Sequence, residues 1–193
     1  MAETDEVSIV SIGLSGVGKS YIVVRYIQRV FPRYFEPTTS KNHFHKNLKI
    51  GEKWINIDIT DTGNSFSKYL CNYTKNDPNK AVMLVYAIDD KNSFDELKKY
   101  IDEEINRIEK DKLPMFFVVG NKCDLEDNRK VNKKEGESFA NSINASFFEV
   151  SAKNQNLVDN LFMDIIEKCT HIDISTLNKK PERQGNDEQC YIA

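Results

Sequence analysis

Short apolar runs alternate with segments that carry apolar residues at helical spacing along most of the chain. The apolar runs, which are typical of strands buried on both faces of a sheet, cover residues 7–12, 81–88 and 115–119. The helical segments, with apolar residues three or four positions apart, cover residues 19–30, 93–108 and 156–169. Strands separated by helices favour right-handed crossovers. The pattern therefore predicts an α/β domain with a mostly parallel sheet.

The remaining segments complete this organisation. Residues 44–50 and 54–60 read as two strands around the turn Gly51-Glu52-Lys53, which predicts a hairpin. A further helix and a short strand are predicted over 133–142 and 146–150. We expect one domain over 7–172, with a short extension at 1–6. Beyond it the polar composition of 173–193 predicts a flexible tail.

Composition narrows the class of protein. The net charge is -3, which gives no electrostatic case for nucleic-acid binding. The four cysteines, at 71, 123, 169 and 190, form no CxxC pair, so zinc and a disulfide framework are disfavoured and a reducing compartment is expected. No apolar run is long enough for a membrane span, and no secretory signal is recognisable.

A glycine-rich segment between the first strand and the first helix matches the phosphate-binding pattern G-x-x-x-x-G-K-[ST]. Its residues are Gly13-Leu14-Ser15-Gly16-Val17-Gly18-Lys19-Ser20. Glycines let backbone N–H groups turn inward around phosphates. Lys19 would neutralise β- and γ-phosphate oxygens and Ser20 would offer its hydroxyl to Mg²⁺. We interpret the segment as a nucleotide phosphate site.

Two further polar segments follow predicted strands at the same sheet edge. The first is Asn121-Lys122-Cys123-Asp124, in which Asp124 could accept hydrogen bonds from N1–H and N2–H₂ of guanine. In this interpretation Asn121 ties neighbouring loops together and Lys122 lies across the base. The second is Ser151-Ala152-Lys153, where a backbone N–H could contact the base O6. Both segments favour guanine over adenine. Asp124 and the lack of a lid-like basic segment argue against an ATP-using P-loop kinase.

These three motifs, in this order, resemble the small GTPases of the Ras superfamily over roughly residues 7–170. The resemblance implies a six-stranded, mostly parallel P-loop domain that binds GTP or GDP with Mg²⁺. It implies Ser20, Thr38 and Asp61 as metal ligands. Further nucleotide contacts are expected from Ser15, Gly16, Val17, Gly18, Tyr21, Phe31, Phe35, Pro37, Gly63 and Leu125. Two positions have alternative interpretations. Phe31 is either a ring that stacks on guanine or a core residue at the end of the helix. Tyr21 faces either the α-phosphate or solvent.

The segment after Asp61 departs from the family pattern Asp-x-x-Gly-Gln. It reads Asp61-Thr62-Gly63-Asn64-Ser65. Without gaps, Asn64 takes the place of the γ-phosphate-sensing glycine and Ser65 that of the water-orienting glutamine. A shortened loop instead makes Gly63 the glycine and Asn64 the glutamine equivalent, and we favour this second alignment. Neither alignment contains a glutamine. The expected catalytic residues are Lys19 and, in place of the glutamine, Asn64 or Ser65, and GTP hydrolysis is expected to be slow.

The resemblance also implies protein partners: effectors, an exchange factor and a GTPase-activating protein, with a monomeric chain and no nucleic acid. Lys41 and the lack of acidic residues near it fit poorly with basic Ras effectors. The final residues Cys190-Tyr191-Ile192-Ala193 match a prenylation box and predict farnesyl at Cys190. One lipid binds membranes reversibly, so exchange between cytoplasm and membrane is expected. A non-hydrolysing pseudo-GTPase scaffold is the alternative function.

Overall fold

The computed structural model describes residues 4–34, 38, 41–63, 70, 79–109, 113–172 and 191–192. Within them the strands form one sheet in the order β6-β5-β4-β1-β3-β2-β7. The strands are β1 (Thr4–Ile12), β2 (Asn42–Ile50), β3 (Lys53–Asp61), β4 (Lys80–Ala87), β5 (Met115–Asn121), β6 (Ser146–Glu149) and β7 (Tyr191–Ile192). The pairs from β6 across to β3 are parallel, and β2 is antiparallel to β3. The predicted α/β fold with a mostly parallel sheet is confirmed.

In the part of the chain that the structure describes, four α-helices of eight or more residues connect the strands. They are α1 (Lys19–Gln28), α2 (Lys91–Ile105), α3 (Lys133–Ser142) and α4 (Gln155–Thr170), and a 3₁₀ helix (Cys123–Asn128) follows β5. Asp90, Asn132 and Asn154 cap α2, α3 and α4 through their side chains. The N-cap of α1 is Gly18, which has no side chain. The first N–H groups of α1 are therefore left to a ligand or to water.

The core lies on both faces of the sheet. Alternate β4 residues point to opposite faces, so Met83 packs with α1 and α4, and Leu84 packs with α2 and α3. On the first face the rings of Tyr26 and Phe162 stack with centroids 3.8 Å apart. Burial on both faces is the physical reason for the uninterrupted apolar run in β4. None of the helices in the described part of the chain is long and apolar enough to cross a membrane.

Element boundaries differ from the predictions by a few residues. β1 begins at Thr4 instead of residue 7, and α1 ends at Gln28 instead of residue 30. The clearest addition is β7, in which two residues of the predicted tail pair antiparallel with β2, Phe44 opposite Ile192 and His45 opposite Tyr191. The sheet thus gains a short edge strand that the polar composition of the tail did not indicate.

Because neighbouring strands from β6 to β3 run parallel, their carboxyl ends lie along one edge of the sheet. The loops that follow β1, β3, β5 and β6 are therefore neighbours, although they are far apart in sequence. In open α/β sheets this edge is where ligands bind.

Candidate nucleotide-binding site

Two glycines of the loop after β1 lie too close to neighbouring elements for any side chain. A Cβ on Gly13 would lie 2.1 Å from the Val85 carbonyl oxygen. A Cβ on Gly18 would lie 2.2 Å from the Asn121 side-chain nitrogen, and Gly18 also has φ +95°. The loop can pack against β4 and β5 only because these positions lack side chains.

Lys19 is held over this loop. The residue is 6% exposed, and its Nζ donates to the carbonyl oxygens of Gly13 at 2.8 Å and Leu14 at 3.0 Å. Burial lowers the pKa of Lys19, while the nearby Asp61 carboxylate raises it. The ammonium group is therefore positioned by the loop itself and is partly desolvated, which strengthens its attraction for an anion.

The three predicted metal ligands lie together beside Lys19. Ser20 Oγ donates to Asp61 Oδ2 at 2.5 Å and lies 2.8 Å from Thr38 Oγ1. Burial raises the pKa of Asp61, whereas hydrogen bonds from Ser20 and Ser11 and the charge of Lys19 act in the opposite direction. Hydroxyl and carboxylate oxygens are suitable ligands for Mg²⁺. Among the described residues no group of three or more His, Cys, Asp or Glu side chains could hold a metal.

Ser11 is a site residue that the sequence reasoning missed. It is fully buried in β1 and its Oγ donates to Asp61 Oδ1 at 3.0 Å. Its backbone carbonyl accepts from Thr62 Oγ1 at 2.6 Å. Together these contacts fix the end of β3 against β1. The signal was a serine within an apolar strand, since a buried hydroxyl requires a partner.

Asn121 joins the phosphate loop to the loop after β6. Its Nδ2 donates to the Val17 carbonyl at 2.7 Å, and its Oδ1 accepts from the Ala152 N–H at 3.3 Å. The side chain of Val17, which we predicted to contact nucleotide, is buried in the core. Asn121 therefore holds together two loops that contribute to the same cleft.

Asp124, in the predicted guanine motif after β5, is held by two side chains of the loop after β6. Its Oδ1 accepts from Ser151 Oγ at 2.7 Å and its Oδ2 from Lys153 Nζ at 2.6 Å. Burial alone would raise the pKa of Asp124, but the hydrogen bonds from Lys153 and Ser151 bring it below the usual value. Asp124 is therefore ionised at neutral pH and acts purely as an acceptor. Lys122 Nζ lies 3.5 Å from Asp89 Oδ1.

Phe31 and Tyr21 form an aromatic wall. Their ring centroids are 5.0 Å apart with 31° between the planes. Phe31 is 40% exposed, so it lies at the rim of the cleft and not in the helix-end core. Tyr21 is partly buried against the core and lines the same cleft, so the solvent-facing alternative is not observed.

A cleft of about 440 Å³ connects these groups. Its lining residues are Ser15, Gly16, Gly18, Lys19, Ser20, Tyr21, Phe31, Thr38, Gly63, Asn121, Lys122, Asp124, Leu125, Ser151, Ala152 and Lys153. Five other predicted site residues, Phe35, Pro37, Asn64, Ser65 and Cys190, lie outside the described residues. The structure thus brings the phosphate loop, Ser20, Thr38 and the predicted guanine motifs to one concave surface. Asp61 does not line the cleft; it is fully buried behind Ser20, to which it is hydrogen-bonded.

Comparison with known proteins agrees with this arrangement. The Ras family model matches residues 8–171. The chain is 37% identical over 163 residues to "Ras-like protein 1" of Saccharomyces cerevisiae, an alignment that covers 83% of this chain and 52% of the relative. The chain therefore spans about half the length of that relative. Because the family model extends from β1 to the end of α4, the chain belongs to the Ras family.

Proposed function

We propose that this protein is a molecular switch that binds GTP and GDP with Mg²⁺. One observation carries the proposal. A single cleft has Lys19, Ser20 and Thr38 at one end, with Asp61 directly behind Ser20, and Asp124, held by Ser151 and Lys153, at the other. A nucleoside di- or triphosphate has the matching order of groups: charged phosphates, then a hydrogen-bonding base.

The phosphate end is suited to a polyphosphate. The N-terminus of α1 has no side-chain cap, and Lys19 lies directly on the loop, so backbone N–H groups and an ammonium group face the same space. Ser20, Thr38 and Asp61 would hold Mg²⁺, which neutralises phosphate charge when bound. Thr38 belongs to the segment between α1 and β2, so its position would depend on the γ-phosphate in a switch.

The base end is suited to guanine. A carboxylate has about four lone-pair positions, of which Ser151 and Lys153 occupy two on Asp124. The remaining capacity can accept guanine N1–H and N2–H₂, which adenine lacks. Phe31, partly exposed at the rim beside Tyr21, would stack on the base.

A competition assay tests this assignment. Labelled GDP is bound to the purified protein with Mg²⁺ and displaced by unlabelled GTP, GDP or ATP. GTP and GDP should compete at similar concentrations. ATP should be weaker by about 10⁴-fold, because a site built for hydrogen bonding rejects an analogue without the required donors. Equal competition by ATP would contradict guanine selectivity and restore the kinase alternative.

We further propose that the protein hydrolyses its bound GTP slowly. Slow hydrolysis is supported by the sequence Gly63-Asn64-Ser65, in which neither alignment supplies a glutamine to orient water. The same departure supports the second candidate function, a pseudo-GTPase scaffold that binds GTP without hydrolysing it. The two candidates differ in whether bound GTP turns over at all.

We expect single-turnover hydrolysis of bound GTP to be slow but measurable. Introducing the missing amide with Asn64→Gln or Ser65→Gln should accelerate it on the order of tenfold, about 1.4 kcal/mol of activation free energy. The position that responds identifies the correct alignment. Asn64→Ala and Ser65→Ala are matched controls, because alanine offers no group to the water. Fast hydrolysis by the unaltered protein would refute slow turnover, and no hydrolysis in any variant would favour the scaffold.

The proposed partners follow from the switch. GTP-dependent effectors, an exchange factor and a GTPase-activating protein would act on it, and farnesyl at Cys190 would attach it reversibly to the cytoplasmic face of a membrane. Cys190 lies outside the described residues, so its lipidation stays a prediction from the sequence.

A further inference from the structure

The end of α1 carries two arginines, of which Arg29 contacts α4 and Arg25 contacts the loop after β6. Arg29, the residue after α1, adopts a left-handed conformation with φ 60° and ψ 15°, and its N–H donates to the Arg25 carbonyl at 3.2 Å. This conformation is unusual for a residue with a Cβ. It determines the direction in which the chain leaves α1 towards Phe31, two residues later.

An ion pair with Asp159 holds Arg29 in place. Its Nη1 donates to both oxygens of Asp159, at 2.5 and 2.6 Å. Asp159 lies in α4 and also accepts from Gln155 Nε2 at 2.9 Å. Two partners restrict the carboxylate, so less side-chain entropy is lost when Arg29 pairs with it. The end of α1 is therefore fastened to α4.

Arg25 extends this connection to the loop after β6. Its Nη1 donates to the Arg29 carbonyl and its Nη2 to the Lys153 carbonyl, both at 3.3 Å. The ammonium group of Lys153 in turn donates to Asp124. A continuous series of polar contacts thus runs from α4 through the end of α1 to the acidic residue proposed to bind the base.

We propose that Arg25, Arg29 and Asp159, the α1–α4 latch, are positioning residues that slow the release of guanine nucleotide. The latch joins two parts of the proposed base site, Phe31, which would stack on the base, and the 151–153 loop, which would contact its edge. Displacing either Phe31 or the 151–153 loop requires these contacts to move. The inference rests on the proposed guanine site and adds a determinant of nucleotide lifetime to it.

Solvent exposure of the Arg29–Asp159 pair limits how much its loss can accelerate nucleotide release. The side chains of Arg29 and Asp159 are 46% and 29% exposed, so water and salt weaken their attraction. We therefore expect loss of the pair to accelerate nucleotide release about two- to fivefold, not by orders of magnitude.

The test measures dissociation of methylanthraniloyl-GDP into excess GDP, with Mg²⁺ present. Asp159→Ala removes the partner of Arg29 without changing the left-handed backbone position. Asp164→Ala is the matched control, because Asp164 lies on the same helix and pairs with Lys168 at 3.0 Å, farther from the base site. Release should be two- to fivefold faster for Asp159→Ala and unchanged for Asp164→Ala. High salt should reduce the difference.

A charge exchange separates positioning from general packing. Arg29→Asp combined with Asp159→Arg can re-form the ion pair, and aspartate tolerates the left-handed conformation. The double variant should regain slow release, at least in part. Equal release rates for Asp159→Ala and Asp164→Ala, or no recovery in the double variant, would overturn the latch. Failure of unaltered protein to bind labelled GDP selectively over ATP would instead reject the proposed function.

Discussion

Lys19→Met is expected to weaken GDP and GTP binding at least about 100-fold, equivalent to about 2.7 kcal/mol. The substitution keeps a long apolar stem but removes the ammonium group that the loop carbonyls of Gly13 and Leu14 hold in place. Lys19 is nearly buried, so its charge acts in a medium that screens it weakly. Direct titration with labelled GDP measures the loss.

A surface lysine provides the control for the loss of charge. Lys98→Ala removes one positive charge from the exposed side of α2 and should leave affinity unchanged. Thermal unfolding without nucleotide reports whether Lys19→Met retains the fold. A folded Lys19→Met protein that binds GDP within twofold of the unaltered protein would refute the role of Lys19.

Asp124→Ala is expected to lower GDP affinity about 100-fold while leaving the weak affinity for ADP unchanged. A hydrogen bond to a charged group contributes about 1.5–3 kcal/mol, and two would be lost to the base. We take the lower part of this range because the Asp124 side chain is 30% exposed. The preference for GDP over ADP should therefore fall by about the same factor.

Asp127→Ala is the matched control for this prediction. Asp127 lies on the same 3₁₀ helix three residues later and is exposed, so its loss should affect neither nucleotide. Asp124→Asn is a second variant that preserves the shape of the side chain. It is needed because Asp124→Ala also removes the acceptor of Ser151 and Lys153 and could disturb their loop. Parallel losses of GDP and ADP affinity in both variants would contradict base recognition by Asp124.

The fold was predictable because its signals are local. The apolar run of β4 and the helical spacing in α4 each depend on residues within one element, and burial translates them directly into strand or helix. The phosphate loop was predictable for a similar reason, since its glycines, Lys19 and Ser20 lie within eight consecutive residues.

Contacts between distant residues were not predictable in this way. Ser11 and Asp61 are 50 positions apart, and their hydrogen bond depends on the register in which β1 pairs with β3. Arg29 and Asp159 are 130 positions apart, and their pairing depends on how α1 packs against α4. Neither register nor helix packing is encoded by a pattern within one segment.

The sequence by itself determined the class of fold, the phosphate loop, and the residue types offered to metal and base. Only the tertiary structure decided which of them share a cleft, that Phe31 lies at its rim, that Ser11 supports Asp61, and that α1 is fastened to α4. The physical reason is that periodicity and motif spacing act along the chain, whereas a binding site depends on side-chain positions across strand pairs and helix contacts. Those positions exist only once the core has packed.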